Sequence, residues 1–146
     1  MKSDPKYDHL LVYETGHWGV YLHDNQCYLG RMYLWAKREE ADDLPGIIYN
    51  ESLELFANIV TIKRALTSLF KPDRFNWMVL GNVTPHCHMH VIPRYAEKRS
   101  FHGLDFIDSN FGGPPFPYDL DFKIGNKRLA KLCQIIKAEM VKVPGK

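Results

Sequence analysis

The chain lacks the features that would commit it to a specialised class. Its three cysteines, Cys27, Cys87 and Cys133, are odd in number, far apart and without a Cys-x-x-Cys pair. No disulfide framework is written into it, and free thiols in a reducing cytoplasm are the expectation. No apolar run approaches the ~20 residues that span a bilayer. The opening Met1-Lys2-Ser3-Asp4-Pro5-Lys6 has no apolar signal region, so no membrane partner is expected. Charge of one sign is also missing. Nineteen Lys and Arg against 17 Asp and Glu leave +2 at pH 7, with the basic residues spread along the chain. Nothing in that balance points to nucleic acid. Internal repeats and low-complexity segments are absent. What remains is 146 residues, 45% hydrophobic and 25% charged, the profile of a single domain, 1–146, long enough to bury a core.

The apolar pattern divides that domain into an arm (1–12), a core (about 13–140) and one long irregular insertion. The arm reads as a short helix or extended segment. His17-Trp18-Gly19-Val20-Tyr21-Leu22 reads as a strand, Asp24-Asn25-Gln26 as a turn, and residues 28–36 as the returning strand of a hairpin. Glu39 to Asp43 reads as a solvated acidic loop. Residues 51–70 form the clearest helix, with Leu53, Phe56, Ile59, Val60, Leu66, Leu69 and Phe70 at helical spacing. Asn50 is its expected N-cap, and Pro72 stops it by forcing Lys71 off helical angles. Phe75 to Leu80 reads as a strand. Residues 96–118 mix Gly103, Gly112, Gly113, Pro114, Pro115 and Pro117 with four phenylalanines and are too broken for a regular element. Loops of that length are often functional. A last helix is expected over 126–140, with Leu129, Leu132, Cys133, Ile136 and Met140 inward. The sum is an α+β fold, an antiparallel sheet of about five strands with two main helices.

One stretch stands apart: Pro85-His86-Cys87-His88-Met89-His90-Val91-Ile92-Pro93-Arg94. Histidines occupy every second position with apolar residues between, which on a strand puts three imidazoles on one face. Alternate side chains on a strand are about 6.5–7 Å apart, so the rings cover roughly 13 Å, a length suited to a row of phosphate oxygens. A neutral imidazole, with a reference pKa of about 6.5, is a good nucleophile near neutrality and is not repelled by phosphate as a carboxylate would be. Arg94 adds a fixed positive charge beside the row.

The segment His86 to Ile92 resembles the signature of the histidine triad (HIT) family, His-φ-His-φ-His-φ-φ with φ apolar, at every position. The approach Phe75 to Pro85 and the exit Pro93-Arg94-Tyr95 resemble its bacterial diadenosine polyphosphate hydrolase-like branch. The resemblance implies a HIT-like fold, a homodimer, and an enzyme of nucleotide phosphorus chemistry. By the same resemblance His88 would attack the α-phosphorus and hold the nucleotide covalently until water releases it. His86 and His90 would line the phosphate and leaving group, and Asn82, Asn76 and Arg94 are the substrate-binding candidates. No tightly bound cofactor is implied; a divalent cation would enter as the substrate's counter-ion. Two departures stand out. Many relatives carry a further histidine after the hairpin, where this chain has Ala36-Lys37-Arg38-Glu39. The glutamine-bearing loop that marks dinucleoside triphosphate hydrolases is missing. Histidine at position 90, where transferase relatives have glutamine, favours hydrolysis.

Two rivals compete with a histidine triad hydrolase. One is a nucleotide-binding or regulatory module with little turnover. The other is a His-ligated metal site, for which the nearest acids in sequence, Asp73 and Glu97, are not at a suggestive spacing. Elsewhere Lys37 and Arg38 read as a polar hairpin end, Cys87 and Met89 as packing, and His9, His17, His23 and His102 as isolated surface or hydrogen-bonded residues. Trp18, Trp35 and Trp77 read as core or dimer contacts.

Overall fold

The computed structural model describes residues 3–143, so the first two residues of the expected arm and the last three of the 1–146 span lie outside the described residues. A 3-10 turn, Pro5–Leu10, leads into β1 (Leu11–Glu14), β2 (Trp18–Leu22) and β3 (Met32–Ala36). Helix α1 (Tyr49–Phe70) follows, then β4 (Arg74–Met78), β5 (His88–Arg94), a small hairpin of β6 (Arg99–Phe101) and β7 (Leu104–Phe106), and helix α2 (Asn126–Met140). The first five strands form an antiparallel sheet in the order β1-β2-β3-β5-β4, the α+β architecture expected from the alternation of elements.

Period-two burial sorts the sheet into two faces. Val20, Leu22, Met32, Leu34, Ala36 and Val91 point to one side and share a cluster with Leu55, Ile62 and Leu66 of α1 and Leu132 and Ile136 of α2. The core reaches N-terminally to Leu10 and Val12, ahead of the expected start near 13, because the 3-10 turn delivers β1 to the sheet edge. Tyr21, Tyr33, Trp35, His88 and His90 point to the opposite, helix-free side by the ladder register.

Several boundaries differ from the sequence reading for local reasons. The returning strand starts at Met32 rather than 28. The Gln26 side chain donates to the carbonyls of His23 and Arg31 and accepts from Gly30 N–H, holding a turn in which Gly30 has φ 86°. The start of α1 is set by Glu51, not by Asn50, which lies inside the first turn. The Glu51 carboxylate accepts the N–H of Ile48 at 2.8 Å and is held by Arg38 Nε at 2.6 Å. Helix α1 also has two apolar faces. Leu55, Ile62, Ala65 and Leu66 are buried, while Leu53, Phe56 and Val60 are exposed. The insertion 96–118 is not wholly irregular: β6 and β7 are joined by His102 and Gly103, both at positive φ, the pattern of a type I′ hairpin turn.

Candidate active site

The histidine row straddles the start of β5. His88 and His90 are on the strand, whereas His86 precedes it, because Cys87 N–H is drawn to the Ala41 carbonyl at 2.8 Å and the chain bends there. The row still gathers on one side of the sheet through β3. Trp35 lies opposite His88 and Tyr33 opposite His90 in the ladder. The Trp35 ring stacks on His86 at 4.4 Å and leans on His88 at 5.6 Å. His90 meets His88 edge-on at 5.0 Å and 72°.

Two hydrogen bonds set the tautomers, since a carbonyl only accepts. His86 Nε2–H donates to the Ala36 carbonyl at 2.6 Å, and His88 Nδ1–H donates to the His86 carbonyl at 2.7 Å. His88 is thereby left with its lone pair on Nε2, the ring edge away from that bond. Burial lowers the pKa of His86 and dominates its shift. Burial pushes His90 down to about 4, and the Arg31 guanidinium acts in the same direction. Among the described residues the buried His90 Nδ1 has no hydrogen-bond partner. A neutral His90 thus stands beside a His88 with a directed lone pair.

His88 and His90 open onto a cavity of about 400 Å³, walled by Tyr33, Trp35 and Thr84. Its far side is made by His23 and Asp24 after β2 and by Ser3, Asp4, Lys6 and Tyr7 of the arm. That volume is within the range of small-ligand sites. The Tyr21 and Tyr33 rings stack at 5.1 Å, and the Ser3 hydroxyl lies 3.0 Å from Tyr21 Oη, so the arm is tied to this face. His86, only 2% exposed, does not line the cavity and sits behind Trp35 and His88.

The other expected site residues fall in two places. Asn82 is exposed on the loop leading to the row. Asn76 and Arg94 are joined farther along the same face, where the Asn76 side-chain oxygen accepts from Arg94 Nη1 at 2.9 Å. All five N–H groups of Arg94 are taken within the protein. Nε and Nη2 clamp the Asp108 carboxylate at 2.7 and 3.0 Å, and the Gly113 and Asn110 carbonyls accept the other two. Arg94 therefore pins the 108–113 loop against the sheet. Lys37 pairs with Glu14 at 2.9 Å and Arg38 with Glu51, so both serve the framework. Among the described residues no group of three or more His, Cys, Asp or Glu side chains is placed to hold a metal ion, and no helix is long and apolar enough to cross a membrane.

Sequence reasoning passed over Trp35, Tyr33, His23 and the arm. Trp35 and Tyr33 alternate on β3 as the histidines do on β5, but nothing local says that these two strands are neighbours. The arm has no pattern that announces a cavity wall.

A family model described as HIT domain matches residues 5–97. No curated protein sequence matches the chain. Among solved structures, the chain is similar to a histidine triad protein from Bradyrhizobium japonicum, with 18% identity, a TM-score of 0.74 and 96% of each chain covered. It is also similar to a histidine triad (HIT) protein from Sinorhizobium meliloti 1021, with 15% identity, a TM-score of 0.76, and 94% of this chain and 96% of that one covered. A HIT family protein from Bacillus anthracis is 27% identical with a TM-score of 0.54, over 60% of this chain and 64% of that one. The first two likenesses extend over both helices and the whole sheet.

Proposed function

The chain belongs to the HIT domain family, and from that premise we propose that it is a nucleotide hydrolase acting at an α-phosphate through His88. The observation that carries the reading is the 2.7 Å bond from His88 Nδ1–H to the His86 carbonyl, which reserves Nε2 for attack. In the proposed first step Nε2 forms a bond to the α-phosphorus and the bond to the leaving group breaks: a leaving phosphate oxygen keeps the electron pair, and a leaving nitrogen keeps the pair, takes a proton from solvent and departs as the amine. The imidazole becomes cationic as it is phosphorylated. The Nδ1–H then bears more positive charge, and the His86 carbonyl stabilises it more strongly than in the free enzyme. In the second step water attacks phosphorus and gives up a proton to solvent, the P–N bond breaks with its electron pair returning to Nε2, and neutral His88 returns with a nucleoside monophosphate released.

In this reading His90 stays neutral beside the phosphate and hydrogen-bonds a non-bridging oxygen or the leaving group. His86 orients His88 and holds the Trp35 ring. Asn82 reaches phosphate from the exposed loop. Asn76 and Arg94 serve substrate by fixing the 108–113 loop. Dinucleoside polyphosphates and nucleoside phosphoramidates fit, since each presents an α-phosphate with a departing group. No resident cofactor takes part, and a divalent cation accompanies a polyphosphate as counter-ion. The proposal includes a homodimer. Tyr49, Leu53, Phe56 and Val60 share one face of α1 and are 75%, 53%, 67% and 69% exposed, and β4 is an open sheet edge. A reducing cytoplasmic setting is proposed from the three free thiols.

The test is a substrate panel with wild type and His88→Ala, with rapid quenching and intact-mass measurement. Wild type is expected to release nucleoside monophosphate and to show a mass increase of one nucleotidyl group, and His88→Ala to show neither. Equal, slow release from every compound by both proteins would defeat the enzyme reading and leave a low-turnover nucleotide-binding module.

A further inference from the structure

Arg31 is a buried cation without an acid to match it. It precedes β3, and strand alternation puts it on the same face as Tyr33 and Trp35, the face that carries His88 and His90. The residue is 4% exposed. Its guanidinium carbon lies over the Tyr118 ring, 3.7 Å from the centroid. Nη1 reaches the Asn25 carbonyl only at 3.5 Å, and among the described residues the buried Nε has no hydrogen-bond partner. The Cys27 side chain is within hydrogen-bonding reach. Asp24 acts on Arg31 from a distance, but its carboxylate is turned to His23 Nδ1 at 3.1 Å. Among the described residues no carboxylate forms an ion pair with Arg31, whereas the other buried arginine on this face, Arg94, is clamped by Asp108.

An unpaired buried charge is costly, and proteins tolerate such a cost mainly at functional sites. The charge is felt on the cavity side. Arg31 disfavours protonation of both His90 and His23, in each case after burial as the main cause. These two rings are cavity walls, and the other acidic, basic or imidazole side chains lining the same cavity are His88, Asp24, and Asp4 and Lys6 of the arm. The field of Arg31 thus reaches the space where the proposed reaction puts an anion.

We propose that Arg31 is the buried counter-charge of the substrate's phosphate, a positioning residue that acts through His90 and the cavity wall rather than by touching the ligand. This rests on the reading of the cavity as a nucleotide site. The missing acid of the arginine is then supplied by the phosphate, and the same charge adds to burial in disfavouring a proton on His90 before substrate arrives.

The experiment compares wild type, Arg31→Met and Arg31→Lys by titration calorimetry with AMP, GMP, CMP and UMP, each against its parent nucleoside. The His90 ring is titrated by NMR in the same proteins without ligand. Wild type is expected to prefer monophosphate over nucleoside. Arg31→Met should lose about tenfold of that preference, the effect of one unit charge acting over roughly 12 Å at an effective dielectric of about 20. It should also let His90 protonate at higher pH, and Arg31→Lys should restore both. If both variants weaken nucleoside and monophosphate alike and His90 titrates as in wild type, Arg31 is only a packing residue and the inference fails while the nucleotide site stands. If wild type itself does not prefer monophosphates, the proposed function fails, and this inference with it.

Discussion

The neutral state of His90 makes a quantitative demand on stability. Its pKa falls from 6.5 to about 4 on folding, chiefly by burial. A histidine held neutral in the fold costs nothing above its unfolded pKa. Below it the unfolded chain takes up a proton that the folded chain refuses, so stability drops as pH falls from about 6.5 towards 4 and then levels. With those two values, linkage gives a loss of about 2–3 kcal/mol between about pH 7 and about pH 4.5. His90 is only partly buried, and allowance for solvent screening brings this to roughly 2 kcal/mol. At about 2–4 °C per kcal/mol for a chain of this length, that is roughly 6 °C in melting temperature. Acid weakens the protein through other groups too, so the measurement is a difference. Urea unfolding of wild type and His90→Gln at the two pH values cancels groups common to both. The variant is expected to be the less stable near pH 7, and the gap should shrink by roughly 2 kcal/mol at the acid end. A gap that is the same at both pH values would refute the reasoning, because it would mean that His90 titrates alike in the folded and unfolded chain.

The remaining predictions concern the loop anchor and the exposed helix face. Asp108→Ala leaves the Arg94 guanidinium buried without its carboxylate. It should cost about 3–5 kcal/mol in urea unfolding, and a loss below about 1 kcal/mol would mean that the clamp is dispensable. Phe56→Glu places a charge on the exposed apolar stripe of α1. If that stripe is the dimer contact, sedimentation should show a dimer for wild type and a monomer for the variant with an unchanged circular dichroism spectrum. A variant that remains dimeric would place the contact elsewhere.

The histidine row was legible because it is local. Alternation over His86, His88 and His90 needs no neighbour to be read, and the same is true of α2, whose 126–140 span and inward Leu132, Cys133, Ile136 and Met140 were all visible in the spacing. Periodicity alone could not separate the two apolar faces of α1, because hydrophobicity does not say which face meets the sheet and which stays open. Arg94 is the sharper case. As a sequence feature it is a cation beside the histidines, whereas in the fold its five donors close on Asp108, Asn110, Gly113 and Asn76, from 14 to 19 positions away.

By itself the sequence determined a row of alternating imidazoles, two of them on β5, the two main helices and the family to which the chain belongs. The tertiary structure decided what the imidazoles meet. Pairing β5 against β3 put Trp35 and Tyr33 beside the histidines, drew Arg31 to the same face, and folded the arm over the cavity. The physical reason is that strand register depends on contacts between segments more than fifty residues apart. Side-chain period is a property of each strand alone, and it carries no information about which strand lies next to it.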